Sequence, residues 1–453
     1  MVEVLFTDNG KMVFEYSKKH LHSQAHFPVK RFPLTEWLKQ TNGFLFSVYA
    51  IIASFGTYSC MYAYRKPFTA AGFADEPSFF GLDYKSALVI AQVIGYTLSK
   101  FAGIKVISEM DNRKRTRAIL ALIGIGHVSL LLFGLSPPAL RLLFIFINGL
   151  PLGMVWGLVF SYLEGRRFTE FMGAGLCASF IFASGFVKTV GKALIVDYGI
   201  TEHWMPFVTG AVFTLPLLLF TWMLAQIPPP SEDDILLRTR REPMNRFQRI
   251  QFFRKFSTGL VLLIITYTLL TAFRDLRDNF MNEVLIALGY DRQPELFTQT
   301  ELPVTLGVLG LLALIMFIKN NHLALMVNHG VILAGLSING LCTLGYQAGL
   351  IDPIWWIILT GFGAYMAYIP FNAILFERLI AAFRHVGNAG FLIYIADSFG
   401  YLGSVATLFY KNFGQAALSW LGFFIYSNYA LSIVGVLLTL AALIYFRQKK
   451  PTG

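Results

Sequence analysis

The sequence predicts an all-α membrane protein of twelve transmembrane helices in two pseudo-symmetric six-helix bundles. Three observations carry this. Of 453 residues, 55% are hydrophobic and only 14% charged, with a mean hydropathy of +0.58, whereas about a quarter of a soluble domain is charged. The apolar residues are gathered into runs near the ~20 needed to cross a bilayer. The longest polar loop, Pro228 to Lys255, splits those runs six and six, as in transporters built from two repeated halves. A disordered chain, a coiled coil, a soluble enzyme and a disulfide scaffold are excluded by this composition. Cys60, Cys177 and Cys342 stand singly in apolar runs, with no metal or disulfide spacing.

Taken in order, the first window (43–66) closes on an Arg-Lys pair, and the second (86–107) contains Lys100 and Lys105. The third (117–135) follows the Arg113–Arg117 cluster. The fourth (139–163) carries Gly149, Pro151, Gly153 and Gly157, which mark bending or close approach. Ser184, Lys188 and Lys192 form a stripe on the fifth (171–194), and the sixth (204–226) runs into the central loop. The seventh (257–282) holds Arg274, Asp275, Arg277 and Asp278. The eighth (302–319) and ninth (322–345) are free of such clusters. The tenth (353–376) has Gly361, Gly363 and Pro370, the counterpart of the fourth. The eleventh (386–410) contains Asp397, and the twelfth spans 418–446.

These windows divide the chain into an N-terminal tail (1–42), a first bundle (43–226), a basic linker (227–256), a second bundle (257–446) and a C-terminal tail (447–453). Of the 37 Lys and Arg, 25 fall on the side of the tails and linker. Five (Lys66, Lys85, Arg141, Arg292 and Lys411) fall on the other. The positive-inside rule therefore puts both termini in the cytoplasm of a multi-pass protein, expected in a bacterial inner (cell) membrane. The first 40 residues hold no apolar core of signal-peptide length. The net charge of +11 is mostly this bias and does not imply nucleic-acid binding. His20, His22 and His26 in the tail have no further ligand near them in sequence, so no metal is expected.

Seven bases remain within or beside helices: Arg65, Lys100, Lys105, Lys188, Lys192, Arg274 and Arg277. A charge at mid-bilayer must face a partner or a watery cavity. Tyr58, Tyr62 and Arg65 recur at i, i+4, i+7 and so share a helix face. A guanidinium framed by phenols suits a planar anion, although an interfacial arginine with an aromatic belt has the same spacing. Arg274 occupies the corresponding helix of the second half and would face Arg65 across a central cavity. Equally, Arg274 can pair locally with Asp278, and Asp275 with Arg277. Lys100 lies too deep to snorkel easily, and Lys188 is deeper than Lys192. Asp397 has no basic neighbour on its own helix; it is either a proton or cation carrier or the partner of a cavity lysine.

The segment GTYSCMYAYRKPF (Gly56–Phe68) resembles the first helix of the organophosphate:phosphate antiporters of the major facilitator superfamily, the glycerol-3-phosphate and hexose-phosphate transporter group. Gly95–Ala118 is similar to the second helix and following loop of that group, and Gly149–Gly157 and Gly400–Ser404 also fit. The resemblance implies anion contacts from Arg65 and Arg274, with Tyr58, Tyr62 and Lys100 lining the same site. It further implies two bundles that rock about that site. Phe182 stands where the group has a histidine, no tyrosine lies one turn before Arg274, and the loop at Asp111–Arg115 lacks the usual glycine.

The expected function is secondary active transport of a small organic anion, a phosphorylated or carboxylated metabolite, by alternating access. Inorganic phosphate or protons would be the coupling species, with Lys188 and Asp397 as a possible coupling or secondary site. No enzyme activity, cofactor or metal is expected, and the protein would work as a monomer in the bilayer. The rival readings are a transport-fold anion sensor and a lysolipid or lipid transporter.

Overall fold

The computed structural model describes residues 3–6, 12–15, 33–108, 112–164, 166, 168–231, 234, 251, 253–383 and 389–449. Most of the basic linker, the tail histidines, Arg167 and Arg384 lie outside the described residues, as do the side chains of Lys105 and Arg113. The chain forms two units, Met1–Thr41 and Asn42–Gly453. The first contains an antiparallel hairpin, Glu3–Phe6 with Met12–Glu15 in the register Glu3 opposite Glu15, and the helix Pro33–Gln40.

The second unit is helical, and helices occupy all twelve expected windows. Among the described residues, nine are long and apolar enough to cross a membrane, or ten if Met205–Val212 and Thr214–Ala225, bent by 46°, form one span. Tyr84–Ser108 and Ala389–Phe409, with 25 and 21 residues, fill the second and eleventh windows. Polar residues set several starts. Asn42, Asn320, Asp352 and Ser419 each accept a backbone N–H of the first turn, at 2.9–3.1 Å, which satisfies a donor the helix leaves unpaired.

Breaks fall where proline removes a ladder bond. The fourth window is split into Pro138–Leu152 and Val155–Phe160, next to Pro151. The tenth window ends as Pro353–Ala373, with Pro370 in its last turn, followed by Leu375–Ala382. The first helix, Gly43–Tyr62, stops before the expected position 66. Its end tightens into three-residue turns, with the N–H groups of Ala63, Tyr64 and Arg65 donating to Cys60, Met61 and Tyr62. A 3-10 turn, Pro67–Ala70, follows.

Glycines let pairs of helices touch through their backbones. A Cβ on Gly149 would lie 2.4 Å from the carbonyl oxygen of Gln92, and one on Gly95 would lie 2.3 Å from that of Phe146. Gly335 and Gly363 approach each other in the same way, at 2.5–2.6 Å. Helices from before and after the linker also meet. Tyr84–Ser108 packs on Ala389–Phe409, and Ser179–Val196 packs on Leu296–Met316, where Thr189 is 2.7 Å from Thr298.

These contacts predict an uneven glycine series. Gly149→Val should cost about 1–3 kcal/mol or more through overpacking and lower the melting temperature in detergent. Gly310→Ala, where an added Cβ meets nothing within 4 Å, should melt like wild type.

Candidate functional site

Arg65 lies in the turn after the first helix and not on the helix itself, so its position is set by the chain reversal before Pro67. The side chain is buried, with 8% of its surface exposed. Its guanidinium carbon sits 3.7 Å from the centroid of the Tyr96 ring. The backbone carbonyl of Arg65 accepts from Gln92 Nε2 at 2.9 Å, which ties the turn to the Tyr84–Ser108 helix. Among the described residues the guanidinium makes no ion pair, and its buried Nε has no hydrogen-bond partner. Tyr58 and Tyr62, on the helix that ends just before it, are also buried, ring edge to ring face at 5.4 Å.

Arg274 has a different environment. Its Nε and Nη2 donate to Asp275 Oδ1 at 3.2 and 2.8 Å, and its Nη1 donates to the Tyr368 hydroxyl. The guanidinium lies 4.4 Å from the Tyr368 ring centroid. Ser404 donates to the second oxygen of Asp275 at 2.7 Å. The expected local pairing of Arg274 with Asp278 is therefore replaced by one with Asp275. The expected pairing of Arg277 with Asp275 is also replaced. Arg277 points to the neighbouring helix, where it pairs with Glu301 and reaches the Ile357 carbonyl at 3.4 Å. Successive helix residues diverge by about 100°, so adjacent charges on one helix serve different neighbours.

Lys100 and Asp397 form an ion pair at 2.6 Å between the second and eleventh windows. The pair gives Asp397 the cavity-lysine partner that was one of its two expected roles. Asp397 also accepts from Tyr267, whose hydroxyl is 3.0 Å from that of Tyr368 and 3.2 Å from Asn372 Oδ1. The Lys100 ammonium lies 4.8 Å from the Tyr401 ring centroid and 5.6 Å from that of Tyr96. These two rings contact each other at 5.7 Å. Tyr96 carries Arg65 on its ring face and touches Tyr401, while Tyr267 passes from Asp397 to Tyr368, which accepts from Arg274, so the tyrosines join the two arginines through the Lys100–Asp397 pair.

Lys188 belongs to a separate cluster. Its ammonium pairs with Asp278 at 2.8 Å, and Lys66 and Ser184 bind the same carboxylate. Lys66 also donates to Asn279 at 2.9 Å, Lys192 to Asn282 at 3.1 Å, and Lys85 to Glu283 at 2.6 Å. Lys66, Lys85 and Lys192, read as loop or interfacial cations, are thus buried partners in contacts between the two halves of the chain. Arg141 is likewise buried and paired with Glu76. Charge counting assigns such residues to a side of the membrane and says nothing of whether they face solvent.

Sequence reasoning missed Tyr96, Tyr401, Tyr267 and Tyr368. A signal existed for the first two. Tyr96 precedes Lys100 by four residues and Tyr401 follows Asp397 by four, so on facing helices each charge has a tyrosine on its own face. Phe182, in place of the histidine of the resembled group, lies 6.0 Å from Phe55 and stacks on Phe186 at 5.5 Å. Among the described residues no three His, Cys, Asp or Glu side chains gather into a metal-binding group.

The chain belongs to the family described as "Family of unknown function (DUF5690)", whose model matches residues 67–449. No curated protein matches it. Solved structures similar to it include a D-xylose-proton symporter at 14% identity and a TM-score of 0.59, covering 89% of this chain and 97% of that one. A peptide transporter, POT, in complex with sulfate is similar at 15% identity and a TM-score of 0.59, covering 92% and 99%. The nucleoside transporter NupG is similar at 13% identity and a TM-score of 0.54, covering 89% and 99%. The fold is therefore the major facilitator type, and the protein is a multi-pass integral membrane protein.

The Arg277–Glu301 pair is buried on both sides, at 2% and 8% side-chain exposure. Removing one partner strands a charge and should cost about 3–5 kcal/mol, while replacing both by apolar groups should be nearly neutral. Melting of Arg277→Met, Glu301→Met and the double variant in detergent should show two low values and one close to wild type.

Proposed function

With the major facilitator fold as premise, we propose that this protein is a secondary active transporter that moves a small organic anion by alternating access. One observation carries this: Arg65 is a buried cation held by the Tyr96 ring face and, among the described residues, no carboxylate, at a place where both halves of the chain converge. The cations around it all touch a carboxylate: Lys85, Lys100, Arg274 and Arg277 have one each, and Lys66 and Lys188 share Asp278. A bare guanidinium in a poorly polar interior is a strong anion receptor, because its fork of N–H donors is already desolvated and fixed. Arg274, Tyr58, Tyr62 and Lys100 complete the site as we read it, with the substrate a phosphorylated or carboxylated metabolite.

Two six-helix bundles, 43–226 and 257–446, would rock about this site, joined by the linker 227–256. Both termini would lie in the cytoplasm of a bacterial inner membrane. The Lys66–Asp278–Lys188 cluster and the Lys85–Glu283 pair close one face between the bundles. Their rupture would open it. Coupling would be to protons or to exchange for inorganic phosphate. Asp397, which holds Lys100 and Tyr267 from two other helices, is the residue we read as the coupling site. A proton symporter among the similar structures supports the proton option.

Uptake into proteoliposomes tests the proposal, with radiolabelled phosphate esters and carboxylates offered under a proton gradient or with internal phosphate. At least one anion should accumulate; binding without accumulation would make the protein a sensor. Arg65→Lys should lower the apparent affinity about thirtyfold or more, since loss of a charged hydrogen-bond partner costs ~2–5 kcal/mol and 1.4 kcal/mol is tenfold. Arg277→Lys, which keeps its charge beside Glu301, should retain uptake. Equal loss in both variants would remove Arg65 from the site.

A further inference from the structure

Resting on the reading of Arg65 as an anion receptor, we infer that the substrate is a monoanion with an aromatic or flat apolar body that carries a hydrogen-bond acceptor, and is not a dianionic phosphate ester.

The first argument is charge balance. Asp275 neutralises Arg274 through two N–H donors, and Asp397 neutralises Lys100. Of Arg65, Arg274 and Lys100, Arg65 alone has no carboxylate among the described residues, while Lys66 and Lys188 are held by Asp278 in the separate cluster. A buried site binds the charge that it can cancel; a second negative charge would enter unpaired, at a steep penalty. Two arginines on corresponding helices look from sequence like a dianion clamp, but the carboxylate next to Arg274 removes half of it.

The second argument is the lining. Tyr58, on the helix that ends just before Arg65, meets the Phe180 ring at 5.7 Å; Phe180 lies 6.3 Å from Trp156, and Trp156 stacks on Phe160 at 5.0 Å. These rings come from the first, fifth and fourth windows and form one continuous file leading away from Arg65. Aromatic faces of this kind favour a flat apolar partner. Trp156 stands just past the break of the fourth window, and its buried indole N–H has no hydrogen-bond partner. A buried unpaired donor is costly, so a ligand oxygen that accepts from it would gain affinity and fix the orientation of the body.

Binding by the purified protein, read from tryptophan fluorescence and checked by calorimetry at pH 8, tests this with four probes. They are 3-phenylpropionate (one charge), phenylsuccinate (the same skeleton with a second carboxylate), hippurate (one charge and an amide carbonyl) and glycerol phosphate. Wild-type protein should bind 3-phenylpropionate about tenfold or more tightly than phenylsuccinate, the scale expected for one stranded charge. Hippurate should bind more tightly still, and Trp156→Phe should remove its advantage over 3-phenylpropionate. Asp275→Asn keeps the side-chain shape and frees Arg274, so it should close the gap between phenylsuccinate and 3-phenylpropionate. Equal or tighter binding of phenylsuccinate by wild type, or an unchanged gap in a folded Asp275→Asn variant, overturns the inference. Glycerol phosphate binding without any aryl monoanion overturns it as well and leaves the anion reading of Arg65 standing. Failure of all four probes in a protein that melts cooperatively defeats both.

Discussion

A charge in a bilayer interior must be cancelled locally, and this constraint organises the molecule. An unpaired ionised side chain there costs several kcal/mol, so the buried bases of this chain act as fixed points to which acidic partners from other helices are drawn. Lys85 meets Glu283, Lys100 meets Asp397, and Lys66 and Lys188 share Asp278. In each case the base comes from before the linker and the acid from after it. Apolar faces give no such direction, because lipid tails are as apolar as leucine. The ion pairs therefore fix how the two halves of the chain meet, and glycine contacts such as Gly149 on Gln92 tighten packing within a half.

The contacts between halves also repeat. The second window touches the eleventh and the fifth touches the eighth. Exchange of the halves turns the second window into the eighth and the eleventh into the fifth, so one contact maps on the other. The chemistry of the two is not repeated. The second–eleventh contact carries the Lys100–Asp397 pair between tyrosines, while the fifth–eighth contact carries neutral Thr189 and Thr298 and the backbone approach of Gly185 to Phe297. Contacts equivalent in position thus differ in their polar chemistry.

The helical windows were legible in the sequence because hydropathy is a property of single segments. All twelve windows hold helices, with ends displaced by a few residues. The largest departure in meaning is at Arg65, where the helix ends at Tyr62, short of the arginine that the hydrophobic run would include. The site was legible in part. Arg65, Tyr58, Tyr62 and Lys100 stand out by depth and spacing, and they do gather. What the sequence hid is pairing, since Lys100 and Asp397 are 297 positions apart and Arg277 has two acids beside it yet uses Glu301. Local charge patterns on a helix mislead where every face of that helix is buried against a different partner.

The seventh window shows the consequence of such burial. Between Arg274 and Asp278, Arg274 reaches Tyr368, Asp275 reaches Ser404, Arg277 reaches Glu301, and Asp278 holds Lys66 and Lys188. Asn279, Asn282 and Glu283 then bind Lys66, Lys192 and Lys85. Phe280, in the middle of this stretch, leaves helical geometry at φ −118° and ψ 16°. The helix thus carries Arg274 and the partners of Lys66, Lys85 and Lys188 on a single rod, with a bend at Phe280 between Asp278 and Glu283. On the other half, Arg65 and Lys66 are consecutive, so the residue read as holding the anion and a residue that clasps Asp278 are joined by one peptide. A displacement of Arg65 cannot leave Lys66 in place, because the turn that carries both is pinned by Gln92 at the Arg65 carbonyl and stopped by Pro67. A short covalent path thus joins each arginine of the candidate site to the ion pairs that connect the two halves.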